Sequence, residues 1–135
     1  MPATTHITPL YAALFALLFF AVSVRTILLR RRLKIAVGDG GQPQMLRAMR
    51  VHSNFAEYVP LTLLLVLMLE WQGGHAALIH ALCLVLLVGR LSHAVGVSQV
   101  AENYRYRVFG MGSTFTAMVG AAACILGLAV WRSLA

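Results

Sequence analysis

Acidic residues are few in this sequence: four Asp and Glu stand against eleven Lys and Arg, a formal net charge of +7. Cysteine is scarcer still, at two. Cys83 and Cys124 lie far apart inside apolar runs, which excludes a disulfide framework and any CxxC metal cluster, and leaves each to act as a small hydrophobe. No G-x-S-x-G elbow occurs, and the Gly38 to Gly41 run lacks the Lys-Ser/Thr of a phosphate loop, so neither serine-hydrolase nor P-loop chemistry is indicated. His52, His75, His80 and His93 never fall three or four residues apart, so no two share a helical face and no metal site is expected. No Lys or Arg precedes the first apolar run, while a basic cluster follows it. That order is the reverse of a cleavable secretory signal, so the run is expected to stay as a membrane helix.

What is present is apolar. Hydrophobic residues make up 60% of the 135 positions and charged ones 11%, with a mean hydropathy of +0.81, whereas a water-soluble domain has about 45 to 50% apolar residues. Lipid is therefore the expected solvent, and residues 1–135 have room for a single domain. Apolar runs fall at Leu10–Leu29, Tyr58–Leu69, Ala76–Val97 and Val108–Trp131. They are separated by Gly38-Asp39-Gly40-Gly41-Gln42-Pro43, Gln72-Gly73-Gly74 and Glu102-Asn103-Tyr104. This pattern predicts an all-α integral membrane four-helix bundle with spans near residues 8–30, 47–71, 76–97 and 108–131. Arg25, Arg30, Arg31, Arg32 and Lys34 beside the first run suit anionic headgroups better than nucleic acid. Basic loops after the first and third runs, the latter with Arg105 and Arg107, are expected in the cytoplasm. Both termini and the Gly73-Gly74 turn are then expected outside. Tyr11, Trp71 and Trp131 fall where an aromatic belt would sit, and Ala117, Gly120, Cys124 and Gly127 form a small-residue stripe for helix packing.

The second run is too short. Its twelve residues rise about 18 Å against a hydrocarbon thickness of about 30 Å. The span must begin near residue 50, which draws Asn54 and Glu57 into the membrane. On a helix, Arg47, Arg50, Asn54 and Glu57 share an arc of about 80°, with Tyr58 about 20° beyond it and His52 on the opposite side. A central charge facing lipid costs on the order of 2.5 to 3.5 kcal/mol, so this stripe must face helices or a wet cavity. Arg50 and Glu57 are about 10 Å apart along the axis, too far for a direct pair. Partners are expected on other helices, with Arg30, Arg90, His93, Arg105 and Arg107 as candidates, on another subunit, or on a ligand. Two readings stay open: an interhelical clamp, or a site whose Arg excess is balanced by an anionic guest.

The segment Arg47-Ala48-Met49-Arg50-Val51-His52-Ser53-Asn54-Phe55-Ala56-Glu57-Tyr58-Val59-Pro60 resembles the second-helix signature R-x-x-R-x-x-x-N-x-x-E-Y-x-P of the MAPEG superfamily, membrane-associated proteins of eicosanoid and glutathione metabolism. The Gly38-Asp39-Gly40 loop and Arg90-Leu91-Ser92-His93 are similar to small bacterial members of that superfamily. The resemblance implies a homotrimer in the bacterial inner membrane that binds glutathione between subunits, with the site facing the cytoplasm. It implies that Arg50 contacts a glutathione carboxylate and that Asn54, Glu57 and Tyr58 hold the other polar groups, with Arg30, Arg47, Arg90 and His93 as further contacts. Arg107, or in its place Arg105, corresponds to the Arg that stabilises the glutathione thiolate. A glutathione transferase or peroxidase acting on a lipophilic small molecule from the bilayer is the implied activity. The eicosanoid branch has tyrosines where His93 and Val97 stand here, so binding is better supported than catalysis. The alternatives are a non-catalytic binding protein and a small transporter or channel subunit, the latter disfavoured by small size and no inverted repeat.

Overall fold

The computed structural model describes residues 7–101 and 103–134, which form four helices: α1 (Ile7–Leu33), α2 (Pro43–Trp71), α3 (Ala76–Ser98) and α4 (Tyr104–Leu134). Each is long and apolar enough to cross a membrane. The all-α bundle expected from the apolar runs is the fold observed, with differences at the helix ends. α2 starts at Pro43, before the expected residue 47, because proline at the first helical position has no N–H to leave unpaired and its φ is already helical. α4 starts at Tyr104, so Tyr104, Arg105 and Tyr106, which the sequence pattern placed in a loop, form its first turn. Hydropathy falls there without any loss of helix propensity. Asn103 caps the start, its Oδ1 accepting from Arg105 N at 3.1 Å. Glu102, in the same sequence break, lies outside the described residues.

The connections are short and specified locally. α1 ends where Lys34 enters the left-handed region at φ 56°. Gly73, at φ 85°, and Gly74, whose N donates to Leu69 O at 2.9 Å, then turn the chain from α2 into α3. His75 caps α3, its Nδ1 accepting from Ala77 N at 3.3 Å.

α2 and α3 form the centre of the bundle: each packs on all three other helices, while α1 and α4 share no contact among the described residues. The α1–α2 seam is aromatic: Phe55 stacks on Phe19 with centroids 5.4 Å apart and meets Phe15 edge-on at 6.1 Å. Leu17, Phe20, Val88, Val119, Leu126 and Trp131 remain exposed, which in this molecule means facing lipid. At the α1 N-terminus, Glu70 accepts from Ile7 N and from Thr8 N, the latter at 2.9 Å, placing a carboxylate where the helix dipole favours one. Beside it the Tyr11 hydroxyl and His80 Nδ1 are hydrogen-bonded at 3.0 Å, so His80 is satisfied inside the bundle.

α3 and α4 make the most extensive pairing, and glycines set their spacing. A Cβ on Gly110 would lie 2.6 Å from His93 N and 2.7 Å from Gly89 O; one on Gly96 would lie 2.8 Å from Arg107 N. The closest approach is thus at Gly89, Gly96 and Gly110, not along the whole Ala117 to Gly127 stripe. Ala117 is buried, yet Gly127 faces open space. A small-residue period on one helix cannot show where its partner also has glycine; that takes the register of the pair.

Gly110→Ala is expected to destabilise the detergent-solubilised protein by about 1 to 3 kcal/mol through backbone overpacking, read as a lowered Tm by circular dichroism. Gly127→Ala, with nothing to clash against, should leave Tm unchanged or raise it, by up to about 1 kcal/mol of helix preference.

Candidate functional site

At the end of the bundle where α1 finishes and α2 begins, the polar arc of α2 opens onto a cleft of about 490 Å³. α2 lines it with Leu46, Arg47, Arg50, Ser53, Asn54 and Glu57, α3 with His93 and Val97, and α4 with Arg107. That volume falls within the range of about 300 to 1,000 Å³ usual for small-molecule sites. The helical spacing puts these α2 side chains on one face, and the glycine seam brings the α3 end and the α4 start close enough to complete the wall.

Three guanidinium groups, from Arg47, Arg50 and Arg107, face one carboxylate, that of Glu57. Arg47 is partly committed: its Nη1 donates to Val97 O at 3.4 Å, tying the start of α2 to the end of α3. Glu57 and Arg50 are exposed, and no hydrogen bond or ion pair reaches Glu57 among the described residues. Such a wall can bind a guest with more than one anionic group and a cationic one.

Arg90 stands behind this wall. It is 3% exposed, on α3 between α2 and α4. Its Nη1 donates to Asn54 Oδ1 at 2.5 Å and to Asn54 O at 3.5 Å, and its Nη2 to Gly110 O at 3.3 Å and Met111 Sδ at 3.5 Å. All of these partners are neutral.

The remaining expected contacts lie elsewhere. The half-buried Tyr58 ring packs edge-on against Phe115, with centroids 5.4 Å apart, and does not line the cleft. Arg30 turns into the α1–α2 connection, donating to Gly38 O at 2.8 Å and to Ile35 O and Ala36 O at 3.5 Å, so it braces that connection. Arg105 lines a separate, mostly apolar cleft with Val88, Leu91, Ser92, Val95, Tyr106 and Phe109, whereas Arg107 faces Arg50 and Glu57. His52 points to the other side of α2, where its Nε2 and Ser23 Oγ are 3.1 Å apart.

The model of the MAPEG family matches residues 8–127, a stretch that reaches from the start of α1 deep into α4 and contains every residue of the cleft. This chain belongs to the MAPEG family. Among MAPEG-type relatives it is 36% identical over 113 residues to the inner membrane protein YecN of Escherichia coli K12, covering 84% of this chain and 85% of that protein. The YecN of the O6:H1 strain matches equally well. In this MAPEG chain, Leu46 and Ser53 line the site although the sequence reading passed over them. They lie on α2 about 20° and 40° beyond the Glu57 edge of the charged arc, so a wider arc would have caught them.

A water-filled cleft at these positions predicts a labelling pattern. In a Cys83→Ala, Cys124→Ala background, Ser53→Cys should react with a water-soluble maleimide at least about tenfold faster than Ala48→Cys, since thiol reactivity follows exposure. Ala48 is 1% exposed, while Ser53 opens onto the cleft.

Proposed function

We propose that this MAPEG protein binds glutathione in the cleft between α2, α3 and α4, as a subunit of a homotrimer in the bacterial inner membrane, and directs it at a lipophilic electrophile from the bilayer. The observation that carries this reading is the charge of the cleft, three Arg against one Glu at membrane depth. A basic excess of that kind within a membrane span is costly unless an anion balances it. Glutathione fits the donor set, since it carries carboxylates for Arg47 and Arg50 and an ammonium for Glu57. When bound it would supply a thiol. Arg107 is the residue for that end of the site, because a nearby guanidinium lowers a thiol pKa and raises the thiolate fraction at neutral pH.

The trimer is supported by the face α2 leaves open. Leu46, Arg50, Glu57, Leu61, Leu64 and Met68 are exposed along it, charges included. Lipid does not cover such a stripe at low cost, whereas a second copy or a ligand does. The relative's location in an inner membrane, and the basic residues at the cleft end of the bundle, support a cleft that faces the cytoplasm. A second reading, binding without turnover, is favoured by Val97, an aliphatic side chain in the cleft that offers no proton or hydrogen bond.

Calorimetric titration of glutathione into the detergent-purified protein should show one site per subunit. Arg50→Ala should weaken it by about 1.5 to 3 kcal/mol, roughly ten- to a hundredfold, the range for a hydrogen bond to a charged group. No heat at millimolar glutathione would end this reading. Arg107→Gln should retain binding but move the pH midpoint of thiolate absorbance upward, because a lost positive neighbour destabilises the anion. An unchanged midpoint would remove Arg107 from that role.

A further inference from the structure

We propose that Arg90 is a positioning residue, acting through Asn54: it locks the Asn54 side-chain amide so that its Nδ2 donors face the cleft and read an acceptor oxygen of the guest. This inference rests on the reading of the cleft as a ligand site and deepens it by assigning a donor to one place on the wall.

A guanidinium has donors and no acceptor, and an asparagine amide has an oxygen at one end and an NH₂ at the other. The Arg90 Nη1 to Asn54 Oδ1 bond, at 2.5 Å, therefore settles which end of the amide points at α3. Asn54 lines the cleft, and its Nδ2 has no partner among the described residues. An amide NH₂ that opens onto the cleft without a protein partner is complemented by a carboxylate or carbonyl oxygen of a guest.

Arg90 is itself held from the opposite side. Gly110 has no side chain, and its carbonyl comes within 3.3 Å of Arg90 Nη2 at the point where α3 and α4 lie closest. The Nε of Arg90 is buried without a hydrogen bond. The guanidinium is thus oriented by the Asn54 and Gly110 contacts at the expense of its own satisfaction. A residue that served only to tie helices together would not need to leave an N–H buried and unpaired.

The test has one arm without ligand and one with it. The sequence contains two asparagines, Asn54 and Asn103, so selective ¹⁵N-asparagine labelling yields two side-chain amides, with the exposed Asn103 as an internal reference. In the ligand-free protein the heteronuclear NOE of the Asn54 amide should be that of a rigid group. It should fall in Arg90→Met and hold in Arg90→Lys, which can still donate to Oδ1, while the Asn103 amide, held at the start of α4, stays unchanged in both. Arg90→Met removes a buried charge for a similar volume and is expected to fold. An Asn54 amide as rigid in Arg90→Met as in the wild type overturns the proposal, whatever glutathione does. In the second arm, glutathione affinity is measured for Arg90→Met, Asn54→Ala and the double variant. Positioning through Asn54 predicts a loss of about tenfold for Arg90→Met alone and less than about twofold once Asn54 is already alanine. Equal losses in both backgrounds overturn it. If the NOE responds to Arg90 but no variant and no wild type binds glutathione, the positioning stands and the glutathione reading falls.

Discussion

Hydrocarbon offers no hydrogen bonds to Arg50, Asn54, Glu57 or Arg90, and α2 must carry three of these through it. The rest of the bundle can be understood as the answer to that demand. α2 lies with α3 at the centre of the bundle, in contact with each of the other helices, so that Asn54 and Arg47 meet protein while the Arg50 and Glu57 edge stays exposed. Arg90 reaches Asn54 from α3, Arg107 approaches from α4, and Arg47 ties back to the Val97 carbonyl. The apolar positions of α1 and the outer faces of α3 and α4 are left to lipid, which needs no such pairing.

The two ends of the bundle meet the demand in opposite ways. At the end where α1 begins, Glu70 lies against two backbone amides and His80 against Tyr11, so these groups are satisfied within the chain, while the Thr8 hydroxyl beside them is buried without a partner among the described residues. At the other end Glu57 is exposed and the basic groups outnumber it. One end is held by local hydrogen bonds, and the other keeps an open cleft. The glycine seam makes that open end possible, since only the absence of Cβ at Gly89, Gly96 and Gly110 lets α4 come near enough to form its third wall.

Much of this was legible in particular residues. The short Tyr58–Leu69 run forced the second span back to include Asn54 and Glu57, and the helical angle then gathered Arg47, Arg50, Asn54 and Glu57 on one face, where the cleft is found. The same angle sent His52 away from them, against Phe19 and Ser23. Other residues were not legible. Arg30 has the charge and the place in the chain of a site residue, yet its nearest acceptors are carbonyls of the connection that follows it. Tyr104, Arg105 and Tyr106 carry low hydropathy, which marks a membrane boundary but not a helix boundary, so the start of α4 was placed too late.

Arg105 and Arg107 show where the division falls. Composition, run length and the period of α2 determined the fold class, the membrane setting and the face that carries the chemistry, because each depends on residues close together along one helix. Which of two nearly adjacent arginines joins that face, and whether Arg90 lines the cleft or stands behind Asn54, depends on how α3 and α4 are rotated and seated on α2. Only the tertiary structure decided those, because glycines distant in the sequence set the register between helices, and nothing in either helix alone records it.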